Sequence, residues 1–119
     1  MNKMAEELQV FVKWVEFLKW LLNTTETFPK KIRFSITTRI NNLALDILEI
    51  IIVCKYDRDA RSRGLKKMNI GIETLRVLLR ICHELKYLSH RQYQYAALHI
   101  NESGKMIWGW LKEKNKNET

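Results

Sequence analysis

Arg76 and Arg80 stand four residues apart in an unbroken stretch, so on a helix they project side by side, one turn apart. Lys66 and His83 fall within the same narrow arc, with Asn69 and Glu73 between them. A guanidinium offers a planar fork of donors that matches two phosphate oxygens, which makes such a stripe suited to a nucleic-acid backbone. Two further clusters add positive charge. One is Lys55, Arg58, Arg61, Arg63, Lys66 and Lys67; the other is Lys30, Lys31 and Arg33, directly after Phe28-Pro29. Neither cluster alternates with exposed aromatic residues in the manner of a single-strand stacking platform. Contact with phosphates is therefore expected, and sequence-specific reading of bases is not.

A search for other chemistry returns little. The chain has no glycine-rich phosphate loop, no paired Cys-x-x-Cys or His-x-x-x-His, and no Glu-x-x-His of the di-metal bundles. His83 and Glu84 are adjacent, about 100° apart on a helix, and do not share a site. His90 and His99 read as surface histidines. Asp46 and Glu49, three residues apart, fit a solvated or ion-paired surface better than an acid/base pair. Cys54 and Cys82 lie within apolar runs and read as buried core thiols. No enzymatic activity, metal or cofactor is expected.

The composition suits a folded chain, being 46% apolar and 29% charged, with a net charge of +8. Residues 1–28 carry three basic and four acidic side chains, against eighteen and nine in the remainder. The positive excess thus belongs to everything after the first helix, and a polyanion partner follows naturally. Glu6 and Glu7 interrupt the N-terminus ahead of any secretory-type apolar run. The stretch from Leu8 to Leu22 carries Lys13, Glu16 and Lys19 and is too short to span a bilayer. A cytoplasmic protein without membrane contact is expected.

These side chains must be positioned by helices, since one proline and four glycines are too few for a turn-rich sheet protein. The pattern predicts four helices at about 4–23, 35–57, 62–85 and 90–113, forming one domain over residues 1–119. Ser35 is placed as the cap of the second helix, and Ser89 with Gln92 as a capping box for the fourth. Leu65, Met68, Ile72, Leu75, Leu78, Leu79, Cys82 and Leu85 form the predicted core face of the third; Ile107, Trp108 and Leu111 belong to the fourth. Short links make successive helices antiparallel, which predicts an all-α, up-down-up-down four-helix bundle. Two helices carry more apolar surface than such a core can hide. The first offers eleven apolar positions in Leu8–Leu22, Trp14 and Trp20 among them. The third has a second ridge of Ile70, Val77 and Ile81. Packing of these faces against other copies of the chain, closing a homo-oligomeric ring, is expected.

Several segments carry a resemblance. Phe28-Pro29-Lys30-Lys31-Ile32-Arg33-Phe34, followed by Arg39-Ile40 and Leu43-Ala44, is similar to the second-helix entry of small bundle proteins encoded beside bacterial retroelements and in ribosomal RNA intervening sequences. Leu75-Arg76-Val77-Leu78-Leu79-Arg80, then Leu88-Ser89 with Gln92-Tyr93, then Gly104-Lys105-Met106-Ile107-Trp108-Gly109-Trp110-Leu111, narrow the match. Over roughly residues 5 to 113 the chain resembles the accessory variability determinant (Avd) family of diversity-generating retroelements. The resemblance implies a pentameric ring with a basic surface that helps a reverse transcriptase copy a template RNA mutagenically into cDNA. By position it also implies a functional role for Arg76 and Arg80. The intervening-sequence relatives end the second helix with Asn-x-x-Glu-Gly, where this chain has Val53-Cys54-Lys55-Tyr56-Asp57, a departure that favours the retroelement branch.

The expected interface with nucleic acid is therefore Arg76, Arg80, Lys66, Lys67, Arg63, Lys30, Lys31 and Arg33. The expected oligomer interface is Trp14, Trp20, Ile70, Val77 and Ile81. The competing reading is an assembly protein of the intervening-sequence type, whose cations only maintain solubility.

Overall fold

A computed structural model describes the backbone of residues 3–117 and the side chains of residues 4–112. Four helices make up the fold: α1 (Lys3–Thr25), α2 (Thr38–Tyr56), α3 (Arg61–Glu84) and α4 (His90–Asn117). They pack in a cycle, α1 on α2, α2 on α3, α3 on α4 and α4 back on α1. The result is an elongated bundle of 49 × 24 × 18 Å. None of the described helices is long and apolar enough to cross a membrane.

One buried side chain reveals the up-down alternation. Arg61, at the start of α3, donates from Nε to the carbonyl of Cys54 near the end of α2, at 3.1 Å. Its other nitrogens reach the Trp110 carbonyl late in α4 at 3.5 Å and the Glu7 carboxylate early in α1 at 3.4 Å. Starts of α1 and α3 and ends of α2 and α4 thus share one end of the bundle. Arg61 is 6% exposed, so it is a packing residue and is withdrawn from the basic surface cluster where its position in sequence had put it.

The core follows the helical period. Val10, Trp14, Phe17 and Leu21 of α1 meet Ile40, Ala44, Ile47 and Ile51 of α2, Met68, Ile72, Leu75 and Leu79 of α3, and Ala96, Ile100 and Ile107 of α4. Trp14 buries its polar edge as well, donating Nε1–H to the Ala44 carbonyl at 2.9 Å. Both cysteines are buried free thiols. Leu65 and Leu78 pack against the core at its flanks, half-buried. Two packing expectations are corrected. Leu85 lies beyond the end of α3 and is 51% exposed. On α4 the buried indole is Trp110, two residues on from the exposed Trp108.

The helix ends depart from expectation at one place and match it at another. Pro29 lacks an N–H and holds an extended conformation, so the chain after it restarts in a short 3-10 turn, Lys30–Ile32, then a π turn, Arg33–Thr37. α2 consequently begins at Thr38. Ser35 does not cap it; its hydroxyl donates back to the Ile32 carbonyl at 3.3 Å. The capping box of α4 is formed: Gln92 N–H donates to Ser89 Oγ at 3.1 Å, and Ser89 N–H to Gln92 Oε1 at 2.9 Å. α4 continues to Asn117, past the expected end near residue 113.

Candidate nucleic-acid interface

The eight predicted cations do not form one patch. Lys30, Lys31 and Arg33 sit in the turns that lead into α2, whereas Arg63, Lys66 and Lys67 sit in the first turns of α3. By the alternation described above these are opposite ends of the bundle. All six are exposed, and none of them enters an ion pair among the described residues. Arg63 and Lys67 line a groove of about 500 Å³ between α2 and α3, together with Arg39 and the carboxylates Asp46 and Glu49. Its floor is apolar, with Gly64 and Gly71 allowing α3 to approach Ile47 and Ile50.

Arg76 and Arg80 lie in the C-terminal half of α3 and are both exposed, but each is engaged. Arg76 donates to the Asn101 amide oxygen of α4 at 2.8 Å and lies 3.3 Å from Glu73 Oε2. Arg80 Nε is 3.7 Å from Glu84 Oε1. The helix period had placed these cations correctly on the outside, but it does not show which carboxylates they contact. Exposed pairs of this kind contribute about 0.2–1 kcal/mol, which a phosphate can exchange. His83 stacks on Tyr93 at a centroid distance of 4.6 Å, with ring planes 10° apart, and so belongs to the α3–α4 contact more than to the stripe.

The predicted interface residues divide too. Trp14 has no exposed surface and has nothing to offer a neighbouring molecule; the surplus on α1 is carried instead by Leu8, Phe11, Val12 and Leu22, all exposed. Trp20 is half-buried against Tyr95 of α4, 4.5 Å between ring centroids. On α3, Ile70 is 70% exposed and Val77 37%, with Ile81 half-buried beside them. The second apolar ridge is therefore left uncovered within one chain.

Residues of α4 that the sequence had not placed in a site join Asn69 and Arg76 on the opposite flank of α3. Asn69 and Arg76 of α3 and Asn101, Lys105 and Trp108 of α4 surround a second groove of about 490 Å³. Trp108 is 42% exposed, and the Lys112 ammonium lies 4.2 Å from its ring centroid. The signal in the sequence was present but indirect: Trp108 and Lys112 are one turn apart, and only the pairing of α4 with α3 brings Trp108 into one groove with Arg76.

The Cys54 thiol lies in the wall of the α2–α3 groove, and Cys82 is buried in the core. Burial pushes the Cys82 thiol up to about 11 and raises that of Cys54. The hydrogen bond and charge of Lys13, 3.0 Å away, hold the Glu102 carboxyl below the ordinary glutamate range, tying α1 to α4 at the surface. Among the described residues no three His, Cys, Asp or Glu side chains gather as a metal site would need.

Together these features define a basic four-helix bundle with open apolar and cationic faces. The chain belongs to the bAvd-like family, whose model matches residues 9–114. That agrees with the resemblance carried by the segments between Phe28 and Leu111. Neither the curated proteins nor the solved structures contain a match.

Proposed function

We propose that this protein is a non-catalytic accessory subunit of a diversity-generating retroelement, which binds template RNA or cDNA through its basic surface and partners the reverse transcriptase. Membership of the bAvd-like family supports the retroelement setting. The observation that carries the nucleic-acid role is the set of exposed cations at both ends of the bundle, Lys30, Lys31, Arg33, Arg63, Lys66 and Lys67. None of the six has a carboxylate partner among the described residues.

Assembly supports this role. α1 and α3 are diagonal in the four-helix cycle, so their uncovered apolar faces point in opposite directions. Leu8, Phe11, Val12 and Leu22 on one side and Ile70 and Val77 on the other suit a head-to-tail contact, the kind that closes a ring. A pentamer is the count the family resemblance implies. Around such a ring the cations of each copy repeat and their attraction for a polyanion adds.

Anisotropy of a labelled RNA across a salt series tests the proposal. A surface that displaces several counterions loses affinity by orders of magnitude between about 50 and 200 mM salt. Co-purification with the reverse transcriptase of the same retroelement tests the partnership. A second reading, a pure assembly protein, draws on the engagement of Arg76 and Arg80 by Glu73 and Glu84. It predicts an intact oligomer that binds neither RNA nor DNA at about 50 mM salt.

A further inference from the structure

The groove between α3 and α4 combines features that the end clusters lack. Gly104 and Gly109 open its α4 wall at two positions: a Cβ on Gly104 would come no nearer than 3.9 Å to Ile72, and one on Gly109 would meet nothing within 4 Å. Trp108 stands in this wall with much of its indole open. Arg76, oriented by its 2.8 Å bond to Asn101, faces it from α3, and Lys105 lines the same groove. Lys112 adds a third cation against the indole ring. Asn69 supplies a free amide on the α3 side. Among the described residues no carboxylate lines the groove; Glu73 is held against one edge of Arg76.

We infer that this groove is a stacking subsite for one unpaired base of a single-stranded nucleic acid, with the base against Trp108 and its flanking phosphates on Arg76, Lys105 and Lys112. The inference rests on the nucleic-acid role proposed above and narrows it to unpaired strand at this position. A groove of about 490 Å³ falls in the range of about 300–1,000 Å³ usual for small-ligand sites. An open indole with adjacent cations attracts a base by its π-face and a phosphate by charge, and neither attraction depends on base identity. A duplex keeps its bases stacked on one another and cannot place one against Trp108. The subsite therefore distinguishes single from double strand, while the end clusters, which contact phosphates alone, do not.

The test compares an unstructured oligouridine RNA with an RNA duplex, using the full chain and its Trp108→Ala and Trp108→Phe variants. Trp108→Ala is expected to weaken oligouridine binding about tenfold and Trp108→Phe far less, in line with the range for one base–aromatic stack. Duplex affinity should not change. Oligouridine should also quench indole emission in the parent protein and not in Trp108→Phe, because Trp14 and Trp110 are buried and Trp20 is covered by Tyr95. Equal oligouridine affinity for parent and Trp108→Ala, or equal loss on both RNAs, overturns the subsite and leaves the broader RNA-binding proposal standing. Failure of the parent to bind either RNA at about 50 mM salt removes both.

Discussion

The Arg61 guanidinium lies 4.6 Å above the ring of Trp110, and this contact fastens α3 to α4 at the end of the bundle where Glu7 and Cys54 also converge on the same side chain. The charge is nearly excluded from water, so removing it leaves the Cys54 carbonyl short of a donor and Glu7 without its cation. Glu7 is partly exposed, which lets water recover some of the loss. Arg61→Ala is expected to cost about 2–4 kcal/mol, below the upper end for a fully buried broken pair. Arg61→Lys should recover only part of it, because an ammonium cannot spread over three acceptors and a ring face at once. Denaturant midpoints measure both; a change under about 0.5 kcal/mol in Arg61→Ala would place the residue on the surface after all.

The glycines of α3 and α4 should respond in opposite directions. A Cβ on Gly64 would stand 2.5 Å from the buried Cys54 sulfur, so Gly64→Ala forces α2 and α3 apart. Overpacking of about 1–3 kcal/mol exceeds the gain of about 1 kcal/mol in helix propensity. Gly109→Ala meets nothing and keeps the propensity gain, so it should stabilise by about 0.5–1 kcal/mol. Thermal melts of the two variants should move to either side of the parent.

The helix number, the alternation and most of the core were legible because they depend on period and on local caps. Ser89 and Gln92 satisfy each other's backbone groups within one turn, so their pairing is visible in four consecutive residues. Trp14 and Arg61 were misplaced for the same reason as each other. Composition assigns a large aromatic surplus to an interface and a cation to the surface, whereas burial depends on which helix stands opposite. The Trp108 groove was hidden in the same way, since Arg76 and Trp108 are thirty-two positions apart and meet only once α4 folds back on α3.

Lys86 occupies the left-handed region, with φ of 66°, just past the end of α3. Its N–H bonds the His83 carbonyl and that of Tyr87 the Cys82 carbonyl, at 3.0 and 2.8 Å, which is the Schellman arrangement. A lysine Cβ is strained there and glycine is not. Lys86→Gly is expected to raise stability by about 0.5–1 kcal/mol, and Lys86→Val to lower it by at least as much. Chemical denaturation of both variants decides whether the turn carries that strain.

The two thiols give the chain a specific alkaline weakness. Cys54 and Cys82 are free and buried, and burial alone moves the Cys82 ionisation from 9.0 to about 11. The thiolate is the reactive form, so neither should alkylate in the folded protein near pH 8, while both should in denaturant. The sign of the pH effect follows from proton binding. Between about pH 9 and 11 the folded state holds the Cys82 proton that the unfolded chain releases, so this contribution to stability is whole below pH 9 and declines as pH rises. Cys82→Ala removes that slope but opens a small cavity in the core, so its stability at pH 7 should fall by about 1 kcal/mol while its loss between pH 8 and 11 becomes shallower than the parent's. Denaturant titrations at the two pH values measure it; parallel curves for parent and variant would mean that Cys82 is solvated in the folded chain.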